Sequence, residues 1–125
     1  MSVRKTKEMQ DILSVIDNSI MMVEFDKNSK FISTTNAVEK FLKINKSDVL
    51  NKKHQEVSNL SDLEFSKLWN KLKNGEIVER YFYFDYLDKY VKDIYTPIFD
   101  ENDKLEKVIL IYFDITEETK LKMKN

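Results

Sequence analysis

The side chains able to do chemistry are few. Among 125 residues there is one histidine, His54, one tryptophan, Trp69, and no cysteine. Without a thiol there is no disulfide, no thiolate zinc site and no cysteine nucleophile. One imidazole cannot build a multi-histidine metal site within one chain. The single glycine, Gly75, excludes phosphate-cradling loops, which need several glycines for close backbone approach. Carboxylates gather as Asp85/Asp88 and Asp100/Glu101/Asp103, in stretches that read as turns. Acidic residues there solvate a hairpin, and nothing nearby is placed to raise a pKa. The run DENDKLEK also lacks the spacing and central glycine of a calcium loop. Catalysis is therefore not expected.

The bulk composition agrees with a single non-catalytic domain. The chain is 42% hydrophobic and 34% charged, with 21 basic against 22 acidic residues. That permits one core and argues against a disordered tail. A net charge of −1 lacks the basic surplus of a general nucleic-acid binder. No apolar run reaches the length of a membrane span, and MSVRKTKEMQ has no signal-peptide core, so the expected location is the cytoplasm.

The periodicities then say which elements position these residues. In VRKTKEMQDILSVIDNS, residues Val3, Met9, Ile12, Leu13 and Ile16 share one helical face. This predicts an amphipathic helix over residues 1–17, packed on its own domain or forming a seam between two chains. IMMVEFD (20–26) and KFISTT (30–35) predict a hairpin, with Asn28 the residue suited to a left-handed conformation. NAVEKFLKI predicts a helix capped by Asn36. NKSDVLNKKHQEVSNL reads as short helical turns, where Lys52, Lys53, Gln55 and Glu56 place His54 in an exposed segment. SDLEFSKLWNKLKNGE predicts a helix with a Ser61/Glu64 capping box and a stop at Gly75. Three aromatic and β-branched runs, 76–86, 89–99 and 105–115, predict an antiparallel meander. Pro97 marks loosened pairing or a bulge there. EETKLKMK follows, a helix capped by Asp114 or Thr116 and too short to stand alone in water.

Three segments carry a family resemblance. VEFDKNSKFISTTNAVEKFLKI resembles the opening of PAS domains, FSKLWNKLKNGEIVERYFYF their helix-to-strand passage in energy-taxis receptors and sensor kinases, and YTPIFDENDKLEKVILIYFDITEETK their closing hairpin with its final Asp-Ile-Thr. The likeness runs from about Ile12 to the C-terminus. It implies an α+β fold: a five-stranded antiparallel sheet with helices on one face, a PAS core over 18–115, and a C-terminal signalling helix beginning at 116–125. Where many PAS domains carry glycines, this chain reads DKNSK, LNKKHQ and DENDK. The stretch between His54 and Phe65 is also short.

In PAS domains the cavity lies between the inner sheet face and the helices. Strand alternation leaves two candidate inner faces. One holds Val78, Phe82, Phe84, Val91, Tyr95, Val108, Leu110 and Tyr112, and the other Ile77, Tyr81, Tyr83, Ile94, Ile98, Ile109, Ile111 and Phe113. The resemblance implies cofactor or ligand contacts from Trp69, His54, Phe82, Tyr95 and Tyr112. Absence of cysteine excludes adduct-forming flavin and cysteine-anchored chromophores. Non-covalent FAD is left open through Trp69 in LWNKLKNGE, and haem would rest on His54 alone. Asp114, Ile115 and Thr116 are expected to relay a signal into the terminal helix. The function implied is a sensor of a small ligand or of redox state, in chemotaxis or two-component signalling. It would be a homodimer acting on an effector or kinase partner. A filled-core protein-interaction module is the alternative, favoured by an exposed aromatic patch on the outer sheet face as an internal cavity favours sensing.

Overall fold

The computed structural model describes residues 3–124, with side chains from residue 6. Residues 1–2 of the expected N-terminal helix, the Val3 side chain of its stripe and residue 125 lie outside the described residues. Helix α1 (Val3–Ser19) leads into strand β1 (Met21–Asp26), then β2 (Phe31–Thr34) and helix α2 (Asn36–Leu42). A 3₁₀ turn (Lys46–Asp48) and the short helix α3 (His54–Val57) precede helix α4 (Asp62–Lys73). Strands β3 (Val78–Phe84), β4 (Lys89–Phe99) and β5 (Leu105–Asp114) follow, and helix α5 (Thr116–Met123) closes the order. The strongest local signals landed where expected. Ser61 Oγ accepts from Glu64 N at 3.2 Å and the Glu64 carboxylate reaches back to Ser61 N, while Gly75 takes φ +88° past the end of α4.

Two local expectations are corrected. The left-handed residue of the first turn is Ser29 at φ 68°, not Asn28. Asp26 Oδ1 accepts from Asn28 N and Lys30 N at 2.8 and 2.9 Å, and that bracing leaves the fourth turn residue to reverse the chain. The β4–β5 turn repeats the device: Asp100 Oδ1 accepts from Asn102 N and Lys104 N at 2.8 and 3.0 Å, with Asp103 at φ 59°. Nor does Asn36 cap α2. Thr35 is the N-cap residue without a side-chain bond, and the first-turn amide of Asn36 donates instead to Asp17 Oδ1 of α1 at 2.9 Å. A long-range carboxylate does there what a local cap does elsewhere, and it fastens α1 to the domain.

The sheet order is β2-β1-β5-β4-β3, antiparallel throughout. The last strand is thus central, and the first hairpin pairs with its far side. Pro97 sits opposite Val108, and the register slips at Ile98/Phe99, one residue on. β3 pairs with β4 only as far as Tyr95, so Pro97 lies where one side of β4 has no neighbour and a missing N–H is tolerated. The inner face is the first of the two candidate sets. Val91, Val108 and Leu110 are buried on it, together with Val23 and Phe25 of β1 and with Leu68 and Leu72 of α4. Each fully buried side chain of this kind contributes about 1.5–3 kcal/mol.

Candidate functional site

Strand register aligns a row of polar side chains across the inner face. Arg80 of β3 faces Asp93 of β4, and Asp93 faces Tyr112 of β5. In the next row, Val78 faces Tyr95 and Tyr95 faces Leu110. Helix α3 brings His54 over this surface, because His54 N donates to Ser29 O at 2.7 Å and pins the helix start against the first turn. The imidazole is buried, not exposed as its charged neighbours suggested. Those neighbours take the solvent side, and the ring packs beside Phe25, Phe65, Trp69 and Tyr95 at centroid distances of 5.4–6.3 Å.

These groups line a cavity of about 260 Å³ between the sheet, the end of α2 and the α3 segment. Four expected contacts, His54, Phe82, Tyr95 and Tyr112, come together in its wall with Arg80, Asp93 and Phe84. Trp69 is not part of that wall. It is buried behind His54, stacks on Phe65 at 5.4 Å and donates its indole N–H to Lys27 O at 3.0 Å. Tyr86 at the β3–β4 turn also lines the cavity and bonds Leu42 O at 3.0 Å, tying the hairpin to the end of α2.

The polar network centres on His54. Its Nε2 lies 2.9 Å from the Tyr95 hydroxyl, and Nδ1 lies 3.3 Å from Ser58 Oγ. A neutral imidazole donates from one nitrogen and accepts at the other, and each of the two hydroxyls can take the complementary role. Burial, aided by the Arg80 charge, lowers the His54 pKa to about 4, so the ring is neutral near pH 7. Burial raises Asp93 to about 7, with Arg80 only partly opposing it. Burial likewise pushes the Tyr95 and Tyr112 phenols upward. Asp93 Oδ1 is enclosed and receives no hydrogen bond among the described residues.

The expected relay residues meet the sheet at one end. Ile115 N donates to Tyr90 O at 2.9 Å, and Thr116 Oγ1 accepts from Tyr90 N at 3.0 Å. Asp114 Oδ1 accepts from Thr116 N at 3.0 Å. Ile115, not Asp114 or Thr116, occupies the N-cap position and makes no side-chain cap bond. Lys120 of α5 pairs with Asp88 in the β3–β4 turn, and Asp88 also accepts from the Tyr83 hydroxyl at 3.0 Å.

Arg80 and Asp93 were missed in the sequence because alternation was followed only through apolar residues. Both fall in step with Phe82 and Tyr95, and an opposite-charge pair on an inner face was the available signal.

A five-stranded antiparallel sheet in this order, with the helices gathered over one face and a cavity between, defines the PAS fold, and this chain has it. The PAS domain of an HTR-like protein from Haloarcula marismortui matches at TM-score 0.67 and 14% identity, over 90% of this chain and 96% of that one. The PAS domain of Bordetella pertussis BvgS matches at 0.62 and 16%, over 98% and 97%. An RNA-binding light-oxygen-voltage receptor matches at 0.71 and 14%, over 95% of this chain, which spans only 36% of the receptor. No protein-family profile and no curated protein matches the sequence.

Proposed function

We propose that this chain is a non-catalytic PAS sensory module of the cytoplasm that takes a small molecule into the 260 Å³ cavity and passes the event to an effector or kinase partner through α5. The observation that carries the reading is the buried Asp93 in the cavity wall, set between half-buried Arg80 and Tyr112 on the neighbouring strands. A filled structural core has no use for a carboxylate whose enclosed oxygen is unpaired, since such burial costs stability. Solved PAS structures of similar fold include a sensory box sensor histidine kinase from Vibrio cholerae (TM-score 0.62, 15% identity). The output path is short: the cavity wall includes Tyr86 of the β3–β4 turn, and that turn holds Lys120 of α5. The cavity is smaller than the roughly 300–1,000 Å³ of pockets for drug-sized ligands. Both His54 nitrogens have partners and the Trp69 indole is committed elsewhere. These features favour a small colourless ligand over FAD or haem.

A second reading has its own observation. Ile77, Tyr81, Tyr83, Ile98 and Phe113 are exposed on the outer sheet face, as are Met9, Ile12 and Leu13 on α1. Apolar side chains left exposed on one face mark interaction sites when they adjoin. They support homodimerisation, and they are compatible with a ligand inside. The deciding experiment records an absorbance spectrum of freshly purified protein and of its heat-released supernatant, followed by mass spectrometry of the latter. A released small molecule without flavin or Soret absorbance supports the sensor reading. A flavin or haem band would replace it with redox or gas sensing. No released molecule, together with no response of cavity resonances to added fragments, would leave the interaction module.

A further inference from the structure

The cavity reading says that a small molecule binds, and the inference here rests on it and concerns which chemistry that molecule has. Three properties of the wall constrain it. Asp93 is 5% exposed, lines the cavity, and its Oδ1 has no donor among the described residues. In its ionised form that oxygen only accepts, so its missing partner is a donor, an N–H or O–H on the ligand. Arg80 stands at the facing register position on the neighbouring strand and lines the same cavity. Its guanidinium lies over the Phe82 ring, 5.9 Å from the centroid. It carries several N–H groups and no acceptor, so it offers donors to a ligand acceptor beside that donor.

Charge narrows the class further. At pH 8, where binding is read, Asp93 is ionised and with Arg80 forms a neutral pair, so a neutral ligand adds no uncompensated charge to the site. A zwitterion would have to shed the hydration of two ionic groups, a far larger desolvation penalty than that of an amide. Shape supplies the third limit. Phe82, Phe84, Tyr86 and Tyr112 line the same cavity as the polar pair. Aromatic walls of this kind suit a flat partner, and about 260 Å³ admits one or two small rings.

We infer that Arg80 and Asp93 are a paired recognition site for a small, neutral, planar cyclic amide or ureide, with its N–H donated to Asp93 and its adjacent C=O accepting from Arg80. Phe82 and Tyr112 flank the ring. His54 and Tyr95 act as positioning residues, because their mutual bond fixes Tyr95 in the wall that also holds Arg80 and Asp93.

The test uses the whole chain and chemically matched probes: 2-pyridone and uracil, their N-methylated counterparts, and benzoate, glycine and indole as other classes. Binding is followed by backbone-amide NMR shifts at Asp93, Tyr95 and Tyr112 and by thermal shift. The expected result is saturable binding of 2-pyridone or uracil, weakened roughly ten- to a hundred-fold by N-methylation, since a charge-assisted bond is lost. Because that change is made on the ligand, it cannot be confused with misfolding. Arg80→Met and Asp93→Val should each weaken the amides to a similar degree while leaving indole unchanged. Equal binding of methylated and unmethylated probes overturns the inference. So does preference for benzoate or glycine, and in both cases the cavity reading survives. If no probe of any class moves these resonances, the cavity reading falls and the inference falls with it.

Discussion

Asp93 and His54 titrate in opposite senses, and stability near neutral pH turns on the difference. Asp93 rises from 3.8 to about 7, so between those values the folded chain holds a proton that the unfolded chain releases. Stability is then lost as pH climbs through about 7. His54 falls from 6.5 to about 4, so the unfolded chain binds the extra proton and stability is lost as pH drops from 6.5 through about 4. The two slopes oppose each other between about 4 and 6.5, and above that Asp93 acts alone. Asp93→Asn should therefore be more stable than wild type at pH 8, by about 1–3 kcal/mol, and lose that advantage near pH 4. Urea midpoints at the two pH values check this, and an equal difference at both would rule it out. Tyr95→Phe removes the hydroxyl bonded to His54 Nε2 and should cost about 1–3 kcal/mol at pH 7, read from the same unfolding curves. This part of the site was only half legible. Phe82, Tyr95 and Tyr112 stood out by size and alternation, whereas the burial of His54 depends on its backbone bond to Ser29, a contact between residues far apart in sequence.

At the level of elements, the link between sheet and α5 is the Tyr90–Thr116 exchange. Thr116→Val leaves Tyr90 N without its acceptor and α5 without its first anchor. The expected outcome is a loss of about 1 kcal/mol in unfolding free energy. Faster amide exchange at Tyr90 and along α5 should accompany it, with β1 unaffected. Unchanged exchange in α5 would show that the Ile115–Tyr90 backbone bond and the Lys120–Asp88 contact suffice to position the helix. Strands and the α4 helix were readable because their patterns are local: alternation, a capping box, a glycine stop. The start of α2 was not, because its cap comes from Asp17, nineteen positions earlier. The left-handed residue of the first turn was misplaced by one position, since side-chain bracing by Asp26 decides which residue reverses the chain.

For the molecule as a whole, no described helix is long and apolar enough to cross a membrane. What the isolated chain leaves uncovered is the α1 stripe and the outer sheet face. Because Met9, Ile12 and Leu13 are more than half exposed, Ile12→Glu should leave folding intact and convert a dimer to a monomer in light scattering. A monomeric wild type would remove the homodimer from the proposal. The five-stranded antiparallel sheet was implied by the family resemblance, but no pattern in a single strand says which face turns inward when both are apolar. That choice follows from where α4 and the α3 segment pack. The turns hold one further consequence. Ser29, Lys43, Asn51, Asp88 and Asp103 all adopt left-handed backbone in a chain with one glycine, and such conformations cost roughly 1–2 kcal/mol at a residue bearing a Cβ. The domain therefore carries an untapped thermal reserve. Lys43→Gly, at an exposed site that ends α2 with φ 57°, should raise the melting temperature by a few degrees, and glycine at exposed Asp103 should add to the gain.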